Sequence, residues 1–206
     1  MFINTKPKRQ PTFVQEQINV SAPQQNNASY LEKINNRIYF YSDIYTDKIL
    51  QFNKSIREMN NDLSERAAQL GLESQIPIYI HINSNGGYVI DGFSAMDEIM
   101  KSRCPVYTIV DGIAASAATF LSVVGKKRFI KQNSFILIHQ LSTASWGKYS
   151  EILDNAQNCK KLMEKIKKIY LDHTKLTEKD LNKLLEHDLY LDSEEALKYG
   201  FVDEII

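Results

Sequence analysis

Three short runs of β-branched and apolar residues most constrain this chain, because each ends on glycine, small or polar residues. Ile76–Asn83 (IPIYIHIN) meets Ser84-Asn85-Gly86-Gly87, Pro105–Val110 (PVYTIV) meets Asp111-Gly112, and Phe135–Gln140 (FILIHQ) closes on a histidine and a glutamine. Runs of that length bounded by turn residues read as strands. Arg37–Ser42 and Arg128–Lys131 read as two more. Helical signals separate them. Ile49, Phe52, Ile56, Met59, Leu63, Ala67 and Leu70 recur every three or four positions, predicting an amphipathic helix over 47–70 with Gly71 at its C-terminal cap. The glycine turn opens a helix to about Lys101, and small and apolar residues predict another over 113–124. Shorter helices are expected over 177–185, capped by Thr177, and over 193–198. Strands separated by helices give an α/β fold with crossover connections.

One further helical period, Lys148–Tyr170, carries Ile152, Leu153, Ala156, Cys159, Leu162, Met163, Ile166, Ile169 and Tyr170. Such a helix is roughly 35 Å long, more than a body of 206 residues needs. Its apolar face calls for a partner, most simply a second copy of the chain.

Composition bounds the function. The 25 basic and 25 acidic side chains cancel, which argues against a nucleic-acid binder working through phosphate attraction. Cys104 and Cys159 make neither a disulfide framework nor a zinc-ligand spacing, so both are expected as buried thiols in a reducing compartment. No metal or cofactor site is expected. No apolar run approaches the roughly 18–20 residues of a membrane span, and residues 1–9 lack the hydrophobic core of a secretory signal; the expected location is cytoplasmic. Residues 1–29 hold three of the five prolines and no apolar period, predicting a flexible arm ahead of one domain over 30–206.

Three places carry candidate chemistry. Gly86-Gly87 lies between a strand and a helix, where unpaired amides and absent Cβ atoms let an oxyanion approach; a plain tight turn needs the same residues. In Asp111-Gly112-Ile113-Ala114-Ala115-Ser116-Ala117-Ala118 one serine stands among alanines near a helix start, with the next amide free to donate. There the bland alternative is close helix packing with the hydroxyl bonded back to a carbonyl. His139 closes an apolar strand at the edge where α/β proteins place their sites. His81, His173 and His187 read as structural or solvated. A serine nucleophile and a histidine base want a carboxylate to fix the imidazole, and spacing alone leaves Asp154, Asp172, Asp188 and Asp192 open.

Taken together, IHINSNGG (80–87), DGIAASAA (111–118), ILIHQ (136–140) and EEALKYGFVDEI (194–205) occur in the order seen in the ClpP family, and the chain from Arg37 onward resembles those proteolytic subunits of ATP-dependent Clp proteases. The resemblance implies the ClpP/crotonase-like fold of repeated β-β-α and βαβ units with a projecting handle helix. It places the catalytic serine on Ser116, the histidine on His139, and the aspartate on Asp188, seven residues before Glu195. It puts the oxyanion amides on Gly87 and Ala117. It further implies a serine endopeptidase acting on unfolded or extended polypeptides inside a chamber of stacked heptameric rings, in concert with a Clp-family ATPase. No G-x-x-x-x-G-K-[ST] loop is present, so any ATP would be used by that separate protein. Asn85 stands where the family has proline, and Ala117-Ala118 where it has methionine-glycine. The A-A-S-A-A run and Trp146-Gly147 are also similar to ClpP-related peptidases that mature bacteriophage heads without an ATPase. A non-catalytic ring subunit and a crotonase-type acyl-CoA enzyme are the remaining alternatives.

Overall fold

The computed structural model describes residues 30–206; the arm expected over 1–29 lies outside the described residues. Strands β1 (Tyr30–Ile34) and β2 (Arg37–Tyr41) form an antiparallel hairpin, turned by Asn35 at φ 56°. Helix α1 (Thr46–Gln69) leads to β3 (Ile78–Ser84), α2 (Val89–Met100) and β4 (Val106–Ala115). Next come α3 (Ala118–Val123), β5 (Lys127–Ile130), β6 (Phe135–Leu137) and the long α4 (Tyr149–His173). The chain closes with α5 (Glu178–Leu185), β7 (Tyr190–Leu191), α6 (Ser193–Tyr199) and β8 (Glu204–Ile205).

The sheet runs β1-β2-β3-β4-β5-β8, parallel from β2 onward. One face is buried by period-two alternation. Ile38 and Phe40, Ile78, Ile80 and Ile82, and Val106 and Val110 are 3% exposed or less; they pack in one core with Ile49, Phe52 and Ile56 of α1 and Phe93 of α2. On the other face a buried polar network ties β2, β3 and β4. Asp111 takes His81 Nδ1 at 2.9 Å, the Tyr41 hydroxyl at 2.5 Å and Lys131 Nζ at 3.0 Å. Burial alone would raise the Asp111 carboxyl, but the hydrogen bonds from His81, Tyr41 and Lys131 outweigh it and hold the group below its ordinary value. His81 is therefore structural, as expected.

Two readings need correction. The helix expected over 113–124 is confined to α3, because Ile113–Ala115 stay extended to pair with β6. Cys104 is buried as expected, but Cys159 on α4 is half-buried. Among the described residues, no helix is long and apolar enough to cross a membrane.

Candidate active site

The site originates in a change of partner along β4. Its Tyr107–Val110 portion pairs with Lys127–Ile130 of β5, whereas Ile113–Ala115 pairs in parallel with Phe135–Leu137 of β6. Gly112 lies between the two, where a Cβ would meet Asn83 Oδ1 at 2.7 Å. The second pairing brings the C-terminal ends of β4 and β6 side by side, the edge where parallel sheets present ligand sites. Ser116 N donates to Leu137 O at 2.8 Å, and His139 follows Leu137 by two residues.

Ser116 itself has φ 54°, a left-handed conformation at the turn between β4 and α3. A serine pays for this with Cβ crowding, which marks a position held by its surroundings. Its neighbour in space is the glycine turn. A Cβ on Gly86 would lie 2.6 Å from Ala115 O and 2.7 Å from Ser116 Cβ, and one on Gly87 would strike the Ile44 carbonyl. Close approach therefore demands both glycines. Ile44 N donates to Gly86 O at 2.7 Å and Tyr88 N to Ile44 O at 3.0 Å. Backbone groups alternate along such a parallel bridge, so the Gly87 N–H faces away from Ile44, and Gly87 lines a cavity.

That cavity holds about 210 Å³. Asn85, Gly87, Ser116, Ala117, His139, Gln140 and Ser142 give it a polar wall; Val89, Phe120, Leu141, Ile166 and Tyr170 give it an apolar one. Ser116, His139, Gly87 and Ala117 thus line one cavity. His139 is half-buried, and its Nδ1 lies 2.5 Å from Gln140 O. A carbonyl only accepts, so Nδ1 carries a proton, which in the neutral ring leaves Nε2 with the lone pair a general base requires.

Asp188 is not brought into contact: it is exposed, and among the described residues no hydrogen bond joins it to His139. Its place in the topology is nonetheless specific. β6 and β7 pair antiparallel, Ile136 opposite Leu191 and Leu137 opposite Tyr190. The pairing ends at Leu137 and Tyr190; continued two residues beyond, the same register would place Asp188 opposite His139. Asp192 is otherwise occupied, its carboxylate accepting Glu195 N at 2.8 Å in the capping box of α6. Asp172 pairs with Lys168 at 2.8 Å, and Asp154 is exposed on α4. Among the described residues, no three His, Cys, Asp or Glu side chains converge as metal ligands.

The sequence reading missed the apolar wall as a unit. Ile166 and Tyr170 carried a helical period, but nothing in that period says that they meet Phe120 and Val89 across a cavity. The left-handed Ser116 was equally hidden, since an alanine-rich run favours helix.

A family model described as Clp protease matches residues 32–206. The chain is 34% identical over 172 residues to an ATP-dependent Clp protease proteolytic subunit from Streptococcus mutans, covering 81% of this chain and 88% of that one. It is 36% identical over 155 residues to an ATP-dependent Clp protease proteolytic subunit 2 from Treponema denticola, covering 72% and 78%. A solved structure of a ClpP1 mutant from Listeria monocytogenes superposes with TM-score 0.71 at 26% identity, covering 83% of this chain and 91% of that one.

Proposed function

The chain belongs to the Clp protease family and is a peptidase of the ClpP type, and from that premise we propose that it is a serine endopeptidase using Ser116, His139 and Asp188. Ser116 Oγ attacks the peptide carbonyl carbon as His139 Nε2 takes its proton. The developing oxyanion is held by the Gly87 and Ala117 amides. His139 then returns the proton to the leaving amine, and water, activated by the same imidazole, hydrolyses the acyl-enzyme. The observation that carries this reading is the parallel β4–β6 pairing, with a left-handed Ser116 and His139 both lining the cavity beside it.

Asp188 is the orienting carboxylate in this reading, supported by the β6–β7 register, which continued two residues would bring it opposite His139, and by the capping duty of Asp192. It would replace Gln140 O as the partner of Nδ1, since an ionised carboxylate is the stronger acceptor and stabilises the imidazolium. The exposed outer half of α4 supports assembly. Tyr149 is 79% exposed, with Ile152 and Leu153 close to half, as a face shared with another copy requires. Heptameric rings stacked in pairs around a chamber, extended polypeptides as substrate, and a separate Clp-family ATPase complete the proposal. The chain itself needs no metal or cofactor for this chemistry.

The test is hydrolysis of a fluorogenic peptide and of an unfolded protein by the wild type beside Ser116→Ala, each with and without a candidate Clp ATPase. Loss of both activities in an assembled Ser116→Ala supports the reading; retained hydrolysis contradicts it.

A further inference from the structure

A buried polar chain connects α4 to the serine turn, and the following inference rests on Ser116 being the nucleophile. Thr119 is fully buried. Its N–H donates to Ser116 O at 3.0 Å, and its Oγ1 lies 2.5 Å from the same oxygen. Tyr170 Oη, on α4, lies 2.7 Å from Thr119 Oγ1. The directions are fixed by proton count. Ser116 O is a carbonyl and only accepts, so the one hydroxyl proton of Thr119 goes to it; Tyr170 must then donate to Thr119 Oγ1. Tyr170 is 1% exposed and its ring packs against Phe120 and Phe201.

The carbonyl held in this way belongs to the Ser116–Ala117 peptide unit. A trans peptide is planar, with its N–H pointing opposite to its C=O. Anchoring the Ser116 carbonyl therefore aims the Ala117 N–H, one of the two oxyanion donors proposed above. Hydrogen bonds accepted at the oxygen also polarise the amide, making the N–H at its other end a stronger donor. The anchor is needed because the left-handed Ser116 would relax if released. A threonine bonding back three residues can simply tidy a short helix. The buried tyrosine hydroxyl aligned behind it is what that explanation leaves unaccounted for.

We propose that Thr119 and Tyr170 are positioning residues that aim and polarise the Ala117 amide for the tetrahedral intermediate. Their effect belongs to the transition state, since the substrate carbonyl needs that donor least before attack.

The full-length Tyr170→Phe, Thr119→Val and Thr119→Ser variants are compared with wild type for kcat, KM and inhibition by a peptide boronate, which forms a tetrahedral adduct on serine. Deleting an oxyanion donor outright costs about 10²–10³ in kcat, so a misaimed one should cost about tenfold in Thr119→Val and about threefold in Tyr170→Phe. KM should stay within about twofold, the boronate should weaken in step with kcat, and Thr119→Ser should restore wild-type values. Tyr170→Phe keeps the ring packing, so it decides the matter even if Thr119→Val fails to fold. A folded Tyr170→Phe with wild-type kcat and boronate affinity overturns the proposal, as does a loss confined to KM. If Ser116→Ala is as active as wild type, the nucleophile assignment falls and takes this inference with it. If Ser116→Ala is inactive while Tyr170→Phe is fully active, this inference alone is wrong.

Discussion

At Ser116 the backbone sits at φ 54°, where a Cβ crowds the following carbonyl and costs roughly 1–2 kcal/mol. Glycine would relieve that strain. Ser116→Gly is therefore expected to raise the unfolding free energy by about 1 kcal/mol while removing hydrolysis, an exchange of stability against activity visible by denaturant titration beside a peptide assay. The two aspartates flanking Leu189-Tyr190-Leu191 give a second prediction. Asp188→Asn should lower kcat by up to roughly 10⁴-fold, because an amide favours the wrong imidazole tautomer. Asp192→Asn should leave activity near wild type, since asparagine caps α6 about as well as aspartate. Equal losses in both would mean that Asp188 has no special relation to His139. Spacing left this choice open; the β6–β7 register and the capping box narrow it. No periodicity encodes a cross-strand register formed by residues fifty apart.

At the scale of elements, the long periodic segments were legible, and so were the short helices α5 and α6 with their caps; the β4–α3 junction was not. α1 spans Thr46–Gln69 and α4 Tyr149–His173, each within a few residues of expectation, because an amphipathic stripe of six turns repeats its signal many times. The Ile113–Ala115 segment went to strand against its local composition. Three backbone pairs with β6 fix it, a tertiary contact that local propensity cannot anticipate. The polar network on the far side of the sheet was likewise unreadable, since His81 and Asp111 meet only when β3 and β4 align. It makes a pH prediction. The Asp111 carboxyl ionises below its ordinary 3.8 in the folded chain. Its contribution is thus fully present above about pH 4 and is lost as pH falls through the depressed folded value. Asp111→Asn should lose about 3 kcal/mol at pH 7, where His81, Tyr41 and Lys131 are left with a weaker partner. The gap between wild type and variant should narrow by pH 3, measured by urea unfolding at both. A gap that stays constant would mean that the carboxylate charge contributes nothing.

For the whole molecule, the unanswered demand is cover for α4. Only Ile166, Ile169 and Tyr170 of its 25 residues are buried, all at the end nearest the serine turn. Trp146 just before the helix is 100% exposed, and Ala156 is exposed as well. In an isolated chain Ala156→Glu therefore costs almost nothing. In an assembly that packs α4 against its copy, the same change buries an unpaired carboxylate at several kcal/mol per subunit. Sedimentation velocity should show the variant splitting to smaller species with falling peptidase activity. An unchanged sedimentation coefficient would show that this face is not an interface.

Covalent labelling of the assembled wild-type protein with a fluorophosphonate, followed by mass mapping of the modified peptide, tests Ser116 as the nucleophile. Stoichiometric modification of Ser116 is expected, abolished in His139→Ala, whose serine lacks its base. Modification of another serine with Ser116 untouched, in a preparation that hydrolyses peptide, would contradict it.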